Sequence, residues 1–145
     1  MNEAALTRRE AMVLRFIYDE LKNKPIVGVK EVAEFLGVSL PTTFEILNRL
    51  VEKKGLLRRI KRRGYILSEK GKVVAKKLIF THRVVEYVFF RVFGMNPNSA
   101  CMLATHIDYL IDISYAKEAF RFFNFPRRCP CNKEIPRLEG DWSEQ

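Results

Sequence analysis

Twenty-five residues, Glu69 to Phe93, run without a proline, and this stretch constrains the fold more than any other. Read as one helix, it is about 37 Å long. Its first third is basic, with Lys70, Lys72, Lys76 and Lys77. Its last third is almost wholly apolar, with Val84, Val85, Val88, Phe89, Phe90, Val92 and Phe93. At the junction stand His82 and Glu86, four residues apart and so one turn apart on one helix face. Such a pair reads either as two metal ligands or as an ordinary surface pair. One end of the stretch therefore belongs to a positively charged module, the other to a hydrophobic one.

The charge supports that division. Residues 1–80 carry 18 Lys and Arg against 9 Asp and Glu, whereas residues 81–145 carry eight of each. A surplus confined to one module points to a polyanionic partner. Within 145 residues, a hydrophobic content of 48% is enough for a core in one domain or two small ones. No run of 18 apolar residues and no apolar leader occurs, so a cytoplasmic protein with no membrane partner is expected. Cys101, Cys129 and Cys131 are too few and too clustered for a disulfide framework and read as thiols or metal ligands. No Ser/His/Asp set, P-loop or dinucleotide fingerprint is present, so no enzyme activity is expected.

Taken in order, the chain predicts a mainly α fold with two parts, residues 1–72 and 73–145. A first helix spans Leu6 to Leu21, with Thr7 as its cap and Glu10 completing a capping box. Val29 to Leu36 forms a second helix, closed by Gly37. Ser39 caps a third, from about Leu40 to Lys53, with Pro41 in its first turn and Phe44, Leu47 and Leu50 as its apolar stripe. The tight turn between these two helices marks a helix-turn-helix. Leu57–Ile60 and Tyr65–Leu67 then make a two-stranded hairpin whose tip is Lys61-Arg62-Arg63-Gly64, with five basic residues between Arg58 and Arg63. Together these form a winged helix-turn-helix of three helices and a β-wing. After the long helix, Gly94 and Pro97 make a turn, and Ser99 caps a helix from Ala100 to about Ile113. A last helix opens near Ser114 and runs to Phe123. The tail from Arg127 reads as irregular and polar.

The segments REAMVLRFIY (9–18), VKEVAEFLGVSLPTTFEILNRLVEKKGLL (29–57), RRGYILSEKGKVVA (62–75), THRVVEYVF (81–89) and FNFPRRCPCNKEIP (123–136) carry a family resemblance. In this order they resemble the diphtheria-toxin-repressor and manganese-transport-regulator family of metal-dependent transcriptional repressors, in its short form without the SH3-like domain. The resemblance implies a winged helix followed by an all-helical dimerisation and metal-binding domain. It implies an ancillary metal site at His82, Glu86 and Cys101, where Cys101 replaces a family His. The primary-site positions fall on Met12, Thr105, Asp108 and Tyr109, of which Thr105 and Tyr109 are poor ligands. The early carboxylates of the manganese branch fall on Met12 and Arg15. The expected set is thus His82, Glu86, Cys101 and Asp108, with Met12 as an outlying candidate. Those donors suit Fe2+ or Zn2+ better than Mn2+.

For DNA, the third helix is expected in the major groove, with Ser39, Pro41, Thr42, Thr43, Glu45 and Asn48 toward the bases or phosphates. Arg49 and the wing residues Arg58, Arg59, Lys61, Arg62 and Arg63 would supply salt-dependent affinity. A homodimer on a palindromic double-stranded operator follows from the resemblance. The expected function is a metal-responsive regulator, acting as a repressor with divalent metal as corepressor. Two alternatives stand beside it. One is a metal-independent or thiol-sensing winged-helix regulator. The other is an architectural module without sequence preference.

Overall fold

The computed structural model describes residues 5–138. The chain divides into two compact units, Met1–Ala75 and Lys76–Gln145. In the first unit α1 (Arg8–Glu20), α2 (Val29–Leu36) and α3 (Leu40–Asn48) precede a hairpin of β1 (Leu57–Ile60) and β2 (Gly64–Leu67). The strands pair antiparallel from Leu57 opposite Leu67 to Ile60 opposite Gly64, and Val27 bridges to Tyr65 at the hairpin's edge. α4 (Glu69–Phe93) begins in the first unit and continues into the second, where α5 (Pro97–Ile107) and α6 (Ile113–Phe122) follow. The expected winged helix and the long helix are both present.

Local chemistry explains the helix ends. The Thr7 hydroxyl accepts from the Glu10 amide at 3.1 Å, while the Glu10 carboxylate accepts from the Thr7 amide at 2.9 Å. Gly37 closes α2 with φ 69°, and the Ser39 hydroxyl caps α3. The third helix does not stay α-helical to Lys53. From Arg49 to Lys53 it widens into a π turn before Gly55 stops it at φ 63°. Phe44 is not part of an inward stripe, for it is 43% exposed. Ile46, Leu47 and Leu50 take the inward role and are buried, as are Val13, Leu14, Ile17, Val32 and Tyr65.

Glu10 does more than cap α1. It is fully buried, and it accepts from Arg49 Nε at 3.0 Å and Lys54 Nζ at 2.6 Å. Burial pushes its carboxyl up, but the bonds from Lys54, the Thr7 amide and Arg49 outweigh this and hold it below the ordinary range. The π turn is thereby tied to the first helix.

Two glycines are required by space. A Cβ at Gly64 would stand 2.4 Å from the Val27 carbonyl oxygen, and one at Gly71 would stand 1.8 Å from that of Leu56. The second contact lets the first turn of α4 lie directly on the chain leaving the π turn. Ser68 fastens the same place, donating to Gly55 O at 2.6 Å and accepting from the Gly71 amide at 2.9 Å.

In the second unit α4 is buried on all sides from Leu78 to Glu86. Phe80 and Val84 pack with Ala116, Phe120, Cys129, Ile135 and Leu138. Here the structure departs from the sequence-based expectation. Asn96, not Ser99, caps α5, accepting from the Ser99 amide at 2.9 Å, and Pro97 takes the first helical position. α5 ends at Ile107 in a short 3₁₀ turn (Asp108–Leu110), and Asp112 caps α6. The tail is not simply polar, because Cys129, Ile135 and Leu138 are core residues. Arg83 of α4 is itself buried and donates to the Glu134 carbonyl at 2.7 Å, fixing that tail.

Gly71→Ala should destabilise the protein by about 2 kcal/mol, since overpacking against a backbone carbonyl outweighs the better helix propensity of alanine. Urea titration of the variant against the native chain measures it. The Glu10 carboxyl has a lowered folded pKa, so its contribution is complete near neutrality and is lost as pH falls through and below its ordinary value of 4.5. Glu10→Gln should accordingly lower the urea midpoint at about pH 7, and the gap from native protein should close toward about pH 3.

Candidate metal centre and nucleic-acid interface

His82 and Glu86 share one face of α4, and both are almost wholly inaccessible, at 4% and 2% exposure. That burial removes the surface-pair reading. His82 Nε2 lies 2.8 Å from Glu86 Oε2. α5 brings Cys101 to the same ring nitrogen, with Sγ 3.5 Å from Nε2. One imidazole nitrogen, one carboxylate oxygen and one thiol sulfur all lie within 4.8 Å of one another. A set of one N, one O and one S donor, with His82 and Glu86 buried and Cys101 half-buried, has the chemistry of a transition-metal site.

Asp108 is placed differently from the expectation of a fourth ligand on that side. It is buried, and its Oδ2 lies 2.8 Å from the other ring nitrogen, Nδ1 of His82. A carboxylate there orients the ring, and an Nδ1–H given to it leaves the Nε2 lone pair for a metal. Glu86 Oε1 is buried and makes no formed hydrogen bond among the described residues. Burial raises the Glu86 carboxyl, but the His82 bond and charge more than offset it, with the thiols of Cys129 and Cys101 alongside, so it lies below its ordinary value.

Thr105 and His106 of α5 lie outside this set. Thr105 turns its hydroxyl back to the Cys101 carbonyl at 3.0 Å, and His106 is exposed and bonds Met102 O at 2.9 Å. Met12 is a half-buried residue of α1 in the first unit. Sequence reasoning missed Arg83 as the anchor of the tail and missed the orienting position of Asp108.

In the first unit, Ser39, Pro41, Glu45 and Asn48 of α3 are exposed, and Thr42 is half-buried. Thr43 is a correction to the expected contact set. It is fully buried, and its hydroxyl donates to the Ser39 carbonyl at 2.8 Å, so it closes the helix start and is withdrawn from any ligand. Grooves flank α3. One of about 510 Å³ is lined by Arg8, Arg9, Thr42, Glu45 and Arg49. Another of about 480 Å³ is lined by Lys30, Phe44, Arg59, Arg62 and Arg63. The wing residues Arg58, Arg59, Lys61, Arg62 and Arg63 are all exposed, and Arg62 at the tip has φ 61°. Arg59 is oriented by Asn48 Oδ1 and lies 5.8 Å from the Tyr65 ring centroid.

A winged helix followed by a helical unit with a buried metal-type donor set is the class of protein these features define. The chain belongs to the iron-dependent repressor family. The family model for the N-terminal DNA binding domain of iron dependent repressors matches residues 5–65, and that for their metal binding and dimerisation domain matches residues 68–137. The chain is 30% identical over 139 residues to the iron-dependent repressor IdeR of Mycobacterium tuberculosis, covering 95% of this chain and 59% of IdeR. The structure of the metal-dependent transcriptional regulator MtsR superposes with TM-score 0.79 at 26% identity, over 91% of this chain and 61% of that one. A hypothetical protein from Sulfolobus solfataricus superposes with TM-score 0.71 at 28% identity, over 91% of this chain and all of its own. The chain thus spans about three-fifths of the mycobacterial repressor it matches.

Without metal, His82 is the partner of two buried carboxylates. His82→Ala should therefore destabilise the protein in chelator by about 3 kcal/mol, the cost of stranding buried charge. Thermal unfolding in EDTA checks this.

Proposed function

We propose that this chain is a metal-responsive transcriptional regulator, a repressor that binds a palindromic operator as a homodimer. The observation that carries the reading is the convergence of buried His82 and Glu86, on the helix that begins in the winged-helix unit, with half-buried Cys101 of α5, braced by Asp108. His82, Glu86 and Cys101 would hold a divalent transition metal, which supplies the positive charge that lets these donors converge. Softness of the sulfur and nitrogen donors favours Fe2+ or Zn2+ over Mn2+. Asp108 keeps the imidazole in place, and burial excludes competing water.

On the nucleic-acid side, Ser39, Pro41, Thr42, Glu45 and Asn48 present a short polar edge for the major groove. Arg58, Arg59, Lys61, Arg62 and Arg63 would follow phosphates, giving affinity that falls with salt. Arg49 belongs to this surface but is shared with Glu10. Support for dimerisation comes from large apolar side chains left exposed in the second unit. Phe93, Met102, Leu110, Tyr115 and Phe122 are between 66% and 79% exposed. α4, common to both units, is the element through which ligand binding would bias DNA binding. Such coupling requires metal to bind one conformation more tightly than another.

Operator fragments selected from random DNA provide the test, by gel shift with native protein and His82→Ala, each with Zn2+ and with chelator. Native protein with metal should bind at least about tenfold more tightly than in the other three conditions, about 1.4 kcal/mol of coupling. Equal affinity in all four would remove the metal switch and leave DNA binding standing. Sensitivity to thiol blocking without sensitivity to chelator would favour the thiol-sensing alternative.

A further inference from the structure

The Cys129-Pro130-Cys131-Asn132 turn lies against the donor set without belonging to it. Its backbone is firmly held. The Asn132 amide donates to Cys129 O at 2.8 Å, and the Cys129 amide donates to Lys133 O at 2.9 Å. Pro130 takes the second turn position, where its fixed φ suits it, and Asn132 adopts φ 66°. Arg83 secures the returning strand at Glu134.

Both thiols on this turn lie beside the Glu86 carboxylate, and they differ in burial and in their approach to Cys101. Cys129 is 4% exposed within the apolar cluster around Phe80 and Phe120. Burial pushes its thiol up to about 11, and the neighbouring Glu86 carboxylate adds to the rise. Cys131 is only half-buried, and its Sγ is 3.7 Å from the Pro97 carbonyl at the start of α5. Its thiol lies within interaction range of both the Glu86 carboxylate and the Cys101 thiol. On the facing side, Glu86 offers a buried Oε1 with no formed hydrogen bond among the described residues.

We propose that Cys131 is the fourth donor of the His82–Glu86–Cys101 centre, completing one imidazole, one carboxylate and two thiolates. The inference rests on the metal-binding reading above and deepens it. Cys131 flanks the three-atom set and joins it by a change of side-chain rotamer on a fixed turn. Each thiol releases its proton to solvent as it becomes a ligand. Four protein donors make a closed tetrahedral site. The second sulfur moves selectivity further toward Zn2+, Fe2+ and Co2+ and away from Mn2+.

Co2+ is the probe, added to the full chain, with thiolate-to-cobalt charge-transfer absorption read per bound ion. Native protein should show the intensity of two thiolates. Cys131→Ser and Cys101→Ser should each halve it, and Cys129→Ser should leave it unchanged. An unchanged band in Cys131→Ser, with loss of the band in Cys101→Ser, would overturn the inference while the metal reading survives. Absence of Co2+ binding by native protein would overturn both. A second measurement needs no variant. Saturating Zn2+ should slow alkylation of Cys131 in the native chain at least tenfold, and an unchanged rate would overturn the assignment.

Discussion

A single imidazole between two buried carboxylates is the constraint on which the second unit depends. His82 touches Glu86 through one nitrogen and Asp108 through the other. Burying two acids is costly unless each is paired, so the helices must bring all three groups to one level. α4 supplies two of them one turn apart, and the 3₁₀ turn after α5 supplies the third. α4 is accordingly enclosed on every side at this level, an unusual state for a helix with a histidine, an arginine and a glutamate there. Arg83 meets the same demand by turning to a backbone carbonyl of the tail. The polar groups in this interior thus hold separate stretches of chain together.

The first unit uses the same principle in a different place. Glu10 is a buried anion satisfied by Arg49 and Lys54, from the π turn. Two of the cations counted in the basic surplus are therefore partly spent within the fold. The remaining charge is concentrated on the wing, where Arg58, Arg59, Lys61, Arg62 and Arg63 are exposed, with Arg59 held by Asn48 and Glu52. Lys54 caps the wide turn after α3 and from there reaches back to Glu10.

Features set by neighbours three or four residues away were legible in the sequence. The Thr7–Glu10 box, the Gly37 stop, the Ser39 cap and the bounds of α4 all rest on such local chemistry. Features decided across the fold were not. Glu10 looks complete as a capping residue, and its bonds to residues 39 and 44 positions away carry no local signal. Thr43 and Phe44 exchange the roles their chemistry suggests, Thr43 being fully buried and Phe44 exposed. His82, Glu86 and Cys101 were identifiable as a group through helix spacing and family resemblance, and they do converge. The side of the ring that Asp108 would take was not, since it depends on where α5 ends.

The turn at Cys129–Asn132 is built from main-chain hydrogen bonds, a proline and a left-handed asparagine, and the half-buried side chain of Cys131 adds only a contact to the Pro97 carbonyl and the edge of the core. Exchange of that residue for histidine, aspartate or serine leaves the main-chain hydrogen bonds of the turn in place. The chain therefore carries, beside a demanding core, one replaceable position facing the same centre. Ligand preference can drift there over evolutionary time while the architecture stays constant, and a protein engineer can vary it in the same way.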